Sequence, residues 1–213
     1  MIGVFGGEPA GEPVSRPAAV PCPNTGFGIP AGIGFLAEAA NLCDVGSASN
    51  VAAKVASQLL SYDYLWNAIR VQGGAYGTGM SARASGDVVF TTYRDPSPAR
   101  SVDSIGRCGE ALRRFCASEA SLDKYIISTI AQTEPVITPR QEGLRAANLY
   151  FSNITNEDLA RDRREILAAT KEQLLAFSEA LDRVCENASL CIVGGSHVLS
   201  ASDDLLEETE AIV

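Results

Sequence analysis

"RVQGGAYG", Arg70 to Gly77, is where this sequence changes its period. Upstream, "YDYLWNAIR" (residues 62–70) extends a helical stretch in which Val51, Val55 and Leu59 recur four residues apart behind Ser49, a residue type suited to an N-cap. Downstream, "AYGTGMSARASGDVVFTTYRD" (residues 75–95) alternates polar and apolar residues about Ser85-Gly86, the pattern of a β-hairpin. Gly73 and Gly74 therefore end a helix and start a strand, with Arg70 on one side of the turn and Tyr76 on the other. That order also disposes of a nucleotide motif. Gly77-Thr78-Gly79-Met80-Ser81-Ala82 fits G-x-G-x-x-A, but a dinucleotide turn follows a strand and opens a helix, and here the order is reversed.

Arg70 and Tyr76 admit two readings from the residues alone. Arg70 can be a cation at a helix C-terminus and Tyr76 a half-buried strand aromatic. Alternatively, the turn fixes a guanidinium and a phenol at one end of a sheet, where together they can grip a peptide carbonyl or a developing oxyanion.

Outward from the turn, "FGIPAGIGFLAEAANL" (residues 27–42) reads as extended chain interrupted by Pro30. Residues 1–26, rich in Pro and Gly and without periodicity, read as a lead-in or linker, which leaves 27–213 as a single domain. From Ser101 the period becomes 3.6: Val102, Ile105, Leu112 and Phe115 share one face, and Leu122, Ile126 and Ile130 another. "TNEDLARDRREILAATKEQLLAFSEALDRV" (residues 155–184) predicts one or two long helices with a solvated charged face. "SLCIVGG" (residues 189–195) reads as the last strand. Helices flanking a hairpin and a terminal strand predict an α+β, two-layer domain: a mostly antiparallel sheet covered on one face by helices.

Bulk properties narrow the function. A chain of 213 residues is about one domain and can bury about 70% of its unfolded surface. Its net charge of −9 opposes binding to nucleic acid and to anionic lipid, and no apolar run approaches the roughly 18 residues of a membrane span. The lead-in, acidic at Glu8 and Glu12 with Arg16 as its one basic residue, fits neither a secretory signal nor a transit peptide, so a cytoplasmic location is expected. The six cysteines are scattered without C-x-x-C spacing and are expected to be reduced, mostly buried thiols; with His197 the only histidine, the chain is expected to hold no metal or other cofactor. "SLDK" (residues 121–124) has the spacing of a nucleophilic Ser-Lys pair but no partner motifs, and Ser121 reads as a helix cap. His197 reads as a surface or capping residue. Asn153-Ile154-Thr155 and Asn187-Ala188-Ser189 are glycosylation acceptors only in a secreted chain.

"YLWNAIRVQGGAYG" (residues 64–77), with "YRDPS" (93–97), "RDRREILAATKEQLLAFSEAL" (161–181) and "CIVGG" (191–195), resembles the C-terminal part of the presequence-protease branch of the pitrilysin and insulinase family of zinc metallopeptidases. The similarity runs in order from about Asn24 to Gly195. Ser97 departs from it, standing where the family pattern leads one to expect Asn, and the lead-in matches none of it. The resemblance implies a domain of the mitochondrial processing peptidase type, the last of four related domains in two halves that close around a peptide. In that scheme the N-terminal half holds zinc through an H-x-x-E-H helix, which this chain lacks, so the chain alone should be inactive. The resemblance further implies that Arg70 and Tyr76 hold substrate backbone and stabilise the tetrahedral intermediate, and that Gly73 and Gly74 shape the turn presenting them. The implied partners are the zinc-bearing half and short unstructured peptides; self-association of the isolated domain, through apolar area its neighbour would cover, is a further expectation. Zinc-less members of this fold also serve as structural subunits of larger complexes, the alternative to a working endopeptidase.

Overall fold

The computed structural model describes residues 22–47 and 50–212. Strand β1 (Thr25–Gly28) opens two residues inside the stretch read as lead-in, and the rest of that stretch to residue 21 lies outside the described residues, as does the proposed cap Ser49. After the Pro30 break come β2 (Gly34–Asn41), then α1 (Asn50–Leu59), which runs without interruption into a π-helical segment, Leu60–Val71. The hairpin of β3 (Gly77–Ala82) and β4 (Asp87–Asp95) follows, turning at Gly86 with φ +89°. Six helices come next: α2 (Pro98–Gly106), α3 (Cys108–Ala117), α4 (Asp123–Thr133), α5 (Pro139–Phe151), α6 (Asn156–Leu167) and α7 (Lys171–Glu186). Strand β5 (Ser189–Gly194), the short helix α8 (Ser196–Ser200) and β6 (Glu208–Ala211) complete the chain.

The strands form one six-stranded sheet in the order β3-β4-β2-β5-β1-β6. The pairs β3/β4, β4/β2 and β2/β5 are antiparallel, whereas β1 runs parallel to β5 and β6. Strand β6 corrects the expectation that "SLCIVGG" ends the sheet. Its sequence, Glu-Thr-Glu-Ala, is wholly exposed, and such a charged strand can sit only at an edge, where it discourages further pairing.

Side chains alternate across the sheet with the period of 2 that a pleat imposes. Val88, Phe90 and Thr92 of β4 and Leu190, Ile192 and Gly194 of β5 are buried toward the helices, while Thr91 and Tyr93 of β4 are exposed on the other face. Helix α7 supplies much of the cover, burying Leu174, Phe177, Ala180, Leu181 and Val184 along one stripe. It packs closely on α3: a side chain at Gly109 would overlap Asp182, which instead receives Arg113 at 2.6 Å. The long helical region read from Thr155 is two helices, each begun by a capping box, at Thr155 with Asp158 and at Thr170 with Gln173. At "SLDK", the N-cap of α4 is Leu122 rather than Ser121; the Ser121 hydroxyl, one residue earlier, accepts from the Asp123 N–H at 3.1 Å. Helix α5 buries no residue at all. The expectation of mostly buried thiols needs correction: all six cysteines are free, but only Cys108 is fully buried, and Cys22 and Cys43 are exposed. Among the described residues no helix is long and apolar enough to cross a membrane.

Candidate functional site

The π-helical segment builds the first half of the site. Its wider turn shows in the Gln72 N–H, which donates five residues back to the Asn67 carbonyl at 3.0 Å. Segments of this kind are rare and gather at functional positions. Leu60, Leu65 and Ile69 fix it to the core, leaving Tyr62, Trp66 and Arg70, four residues apart, on the other side. The segment also covers the edge of the sheet. The Ser61 hydroxyl accepts from the Met80 N–H at 2.8 Å and donates to the Met80 carbonyl at 3.2 Å, satisfying both outward-facing backbone groups of that residue of β3.

The two glycines are required for separate reasons. A Cβ on Gly73 would lie 2.4 Å from the Ile69 carbonyl oxygen, so the backbone passes where no side chain fits. Gly74 has φ +83°, the left-handed conformation that ends helices. Two nested bonds close the turn: Gly74 N–H to the Arg70 carbonyl and Ala75 N–H to the Ile69 carbonyl, both at 3.1 Å. Each spans one residue more than in the ordinary glycine cap of an α-helix, as a π-helical last turn requires. Tyr76 N–H then donates to the Tyr93 carbonyl at 3.0 Å and the chain enters β3.

The "YRDP" stretch supports this turn from β4. Tyr93 and Arg94 together oppose Phe35 in β2, a bulge in which Arg94 takes φ +51°, an uncommon conformation for a residue other than glycine. Asp95, 1% exposed, accepts from the Ser97 N–H at 2.8 Å and the Ser101 hydroxyl at 2.6 Å, locking the end of β4 to the start of α2. Pro96 lies against Gly74. Ser97, the departure from the family pattern, makes no side-chain cap; its backbone N–H carries the contact.

The result is a row of rings threaded by one cation. The Arg70 guanidinium lies 4.1 Å from the centre of the Trp66 ring and 5.5 Å from that of Tyr76. Tyr76 meets Tyr93 edge to face at 5.9 Å, and Tyr93 meets Phe35 at 5.3 Å. Tyr76 is 64% exposed, and among the described residues no carboxylate pairs with Arg70. A guanidinium held by rings rather than by an anion keeps its N–H donors for a ligand. Thus Arg70, Gly73, Gly74 and Tyr76 all fall on one turn, and Trp66, Tyr93 and Phe35 join them. Trp66 was legible as the residue one turn before Arg70, and Tyr93 as the first residue of "YRDP"; Phe35 carried no local signal.

The residues do not fit a zinc ion. Among the described residues no group of three His, Cys, Asp or Glu side chains could hold one, and His197 is exposed on α8, five residues long. No metal step is therefore assigned to the side chains of the described residues.

Residues 24–196 match the family model of the PreP C-terminal domain. The chain is 30% identical over 190 residues to Protein HypA of Clostridium perfringens, covering 89% of this chain and 20% of that protein. It is 27% identical over 198 residues to Presequence protease 1, chloroplastic/mitochondrial, of Arabidopsis thaliana, covering 92% of this chain and 18% of that one. The chain thus spans about a fifth of the length of these relatives. Among solved structures, the peptidase M16 inactive domain from Pseudomonas fluorescens superposes with a TM-score of 0.58 at 15% identity, over 89% of this chain and 47% of that one. An inactive peptidase domain from Bordetella parapertussis gives 0.59 at 14% identity, over 78% and 92%. At such identities the structures establish the fold, and the family match with the relatives carries the assignment: the chain belongs to the PreP C-terminal domain family, the C-terminal part of presequence proteases of the pitrilysin type.

Proposed function

We propose that this chain is the closing, non-zinc-binding domain of a zinc metalloendopeptidase that degrades short unstructured peptides, and that Arg70 and Tyr76 are its contribution to the reaction. The zinc and the water-activating base belong to the N-terminal half, the partner against which this domain closes. The observation that carries the reading is the Arg70 guanidinium stacked between Trp66 and Tyr76, free of any acidic partner among the described residues and presented at an exposed turn. Such donors suit an uncharged peptide carbonyl, and they suit better the oxyanion that forms when that carbonyl is attacked. The Tyr76 hydroxyl is a second donor carried by a ring whose position Tyr93 and Phe35 fix.

Arg70 and Tyr76 should fail differently. Arg70→Ala in the full-length enzyme removes a group that holds backbone in both ground and transition states, so KM rises and kcat falls. Tyr76→Phe removes only a hydroxyl acting on the transition state, so kcat falls with KM nearly unchanged. Steady-state turnover of a quenched fluorescent peptide measures both, and wild-type turnover in Tyr76→Phe would end the catalytic assignment.

A further inference from the structure

Trp66, whose ring carries the Arg70 guanidinium, also lines a cleft of about 510 Å³ between α1, the π-helical segment, β3 and α4. Gln58 lines it and is 3% exposed. The Gln58 Oε1 accepts from the Ser128 hydroxyl at 2.7 Å, but its amide nitrogen has no partner among the described residues. Its two N–H donors are thus satisfied only by the water in the cleft, and a ligand that displaces that water must supply an acceptor or leave them unpaired. Thr78, on the wall opposite, has a hydroxyl that is likewise unpartnered. Lys54, the one cation lining the cleft, is neutralised by Asp162 at 2.6 Å.

We propose that this cleft is a side-chain subsite, taking the carboxamide of a Gln or Asn residue in the same peptide that Arg70 and Tyr76 hold; the inference rests on the function proposed above. A primary carboxamide offers the acceptor that Gln58 lacks. A carboxylate would also accept, but it would enter a cleft whose only cation is already paired and would lie beside the charge of Asp162, so its desolvation goes uncompensated. An aliphatic side chain would seal the Gln58 donors away from water with nothing to bond. Trp66 is common to both sites, which sets the cleft beside the backbone that Arg70 is proposed to hold. The cleft would make this domain a determinant of sequence preference as well as of rate.

The test uses the 213-residue chain and three capped pentapeptides of alanine whose central residue is Gln, Glu or Leu, titrated while amide signals are followed by NMR. The Gln peptide is expected to shift the side-chain NH2 signals of Gln58 and to bind about 3–10-fold more tightly than the Leu peptide, the span that one net hydrogen bond provides. Gln58→Met should abolish that preference, weakening the Gln peptide and lifting the penalty on the Leu peptide. Unmoved Gln58 NH2 signals at saturating Gln peptide, or equal or tighter binding of the Glu or Leu peptide, would overturn the proposal; because the shift is read on the unsubstituted chain, misfolding of the variant cannot mask it. Arg70→Ala should weaken all three peptides alike. If it weakens none while the Gln58 signals still move, the grip assigned to Arg70 falls and the subsite stands, so the two readings fail separately.

Discussion

Strands β2 and β4 carry opposite chemistry on their two faces. On the exposed face Phe35 and Tyr93 hold Tyr76 at a turn where its hydroxyl meets solvent. On the helix-covered face of the same strands sit Glu38, 5% exposed with Oε2 unbonded, and Thr92, 4% exposed with its hydroxyl unbonded. Both faces place polar atoms among apolar neighbours. On the open face the donors wait for a ligand that water replaces at little cost; on the closed face nothing replaces the missing partner. The comparison predicts that changes on the open face alter turnover and leave stability alone, and that changes on the closed face do the reverse.

The largest expected effect lies on the open face. In the full-length protein Tyr76→Phe should lower kcat by about 10²–10³, the usual consequence of deleting one oxyanion donor. The same substitution in this domain should move its stability by less than about 0.5 kcal/mol, since the ring and its packing remain. A large loss in the thermal melt of Tyr76→Phe would erase the distinction between the faces.

Next comes Glu38. Burial raises its carboxyl from 4.5 to about 7; burial and then the Glu38 charge raise the Cys185 thiol to about 12, and burial, Cys185 and then Glu38 raise that of Cys108. In the unfolded chain Glu38 ionises near 4.5; in the folded chain it keeps its proton to about 7. The folded state thus binds the extra proton, and stability falls as pH rises from 4.5 to 7, by about 3 kcal/mol in all. The carboxyl of Asp158, lowered to about 2 by its bonds to Thr155 and Arg161, acts in the opposite sense and only below pH 4. Glu38→Gln should flatten the decline between pH 4.5 and 7 in chemical denaturation; an unchanged slope would mean that Glu38 in the folded chain already ionises near 4.5.

Gly73 tests whether the faces are mechanically separate. Gly73→Ala forces a methyl against the Ile69 carbonyl, and backbone shifts of that kind cost about 1–3 kcal/mol. Because that shift displaces Arg70 and Tyr76, this variant should lose both stability and turnover. Loss of stability alone would show that the turn does not set the position of the pair.

How much of this was legible follows from how locally each feature is encoded. The helix-to-strand switch at Gly73-Gly74 and the hairpin at Gly86 were readable because glycine chemistry belongs to single positions. The π-helical pitch was not, since its wider turn merges with 3.6 in a short window, and residues 62–70 read only as more helix. Strand β6 escaped because "ETEA" has no apolar alternation, and it is a strand only because β1 offers it an edge. Glu38 sits in phase with Leu36, so β2's alternation places it inward, but only the packing of α3 and α7 above it shows that no partner arrives. The Arg70 and Tyr76 pair was found in sequence, whereas Gln58 needed its burial and its bond to Ser128 to be known.

The smallest expected effect is on the closed face, at Thr92. Its side chain points with Val88 and Phe90 into the helix-covered layer, opposite Leu36 on one side and Thr78 on the other. The hydroxyl has left water without gaining a bond, a loss worth about 1–3 kcal/mol, and valine puts a methyl in its place. Thr92→Val should therefore stabilise the domain by about 1 kcal/mol, the lower end of that range. Turnover should not change, since Thr92 faces away from the rings. A denaturation midpoint that falls on this substitution would show that the hydroxyl is bonded in solution, and the contrast between a waiting face and an unsatisfied one would then rest on Glu38 alone.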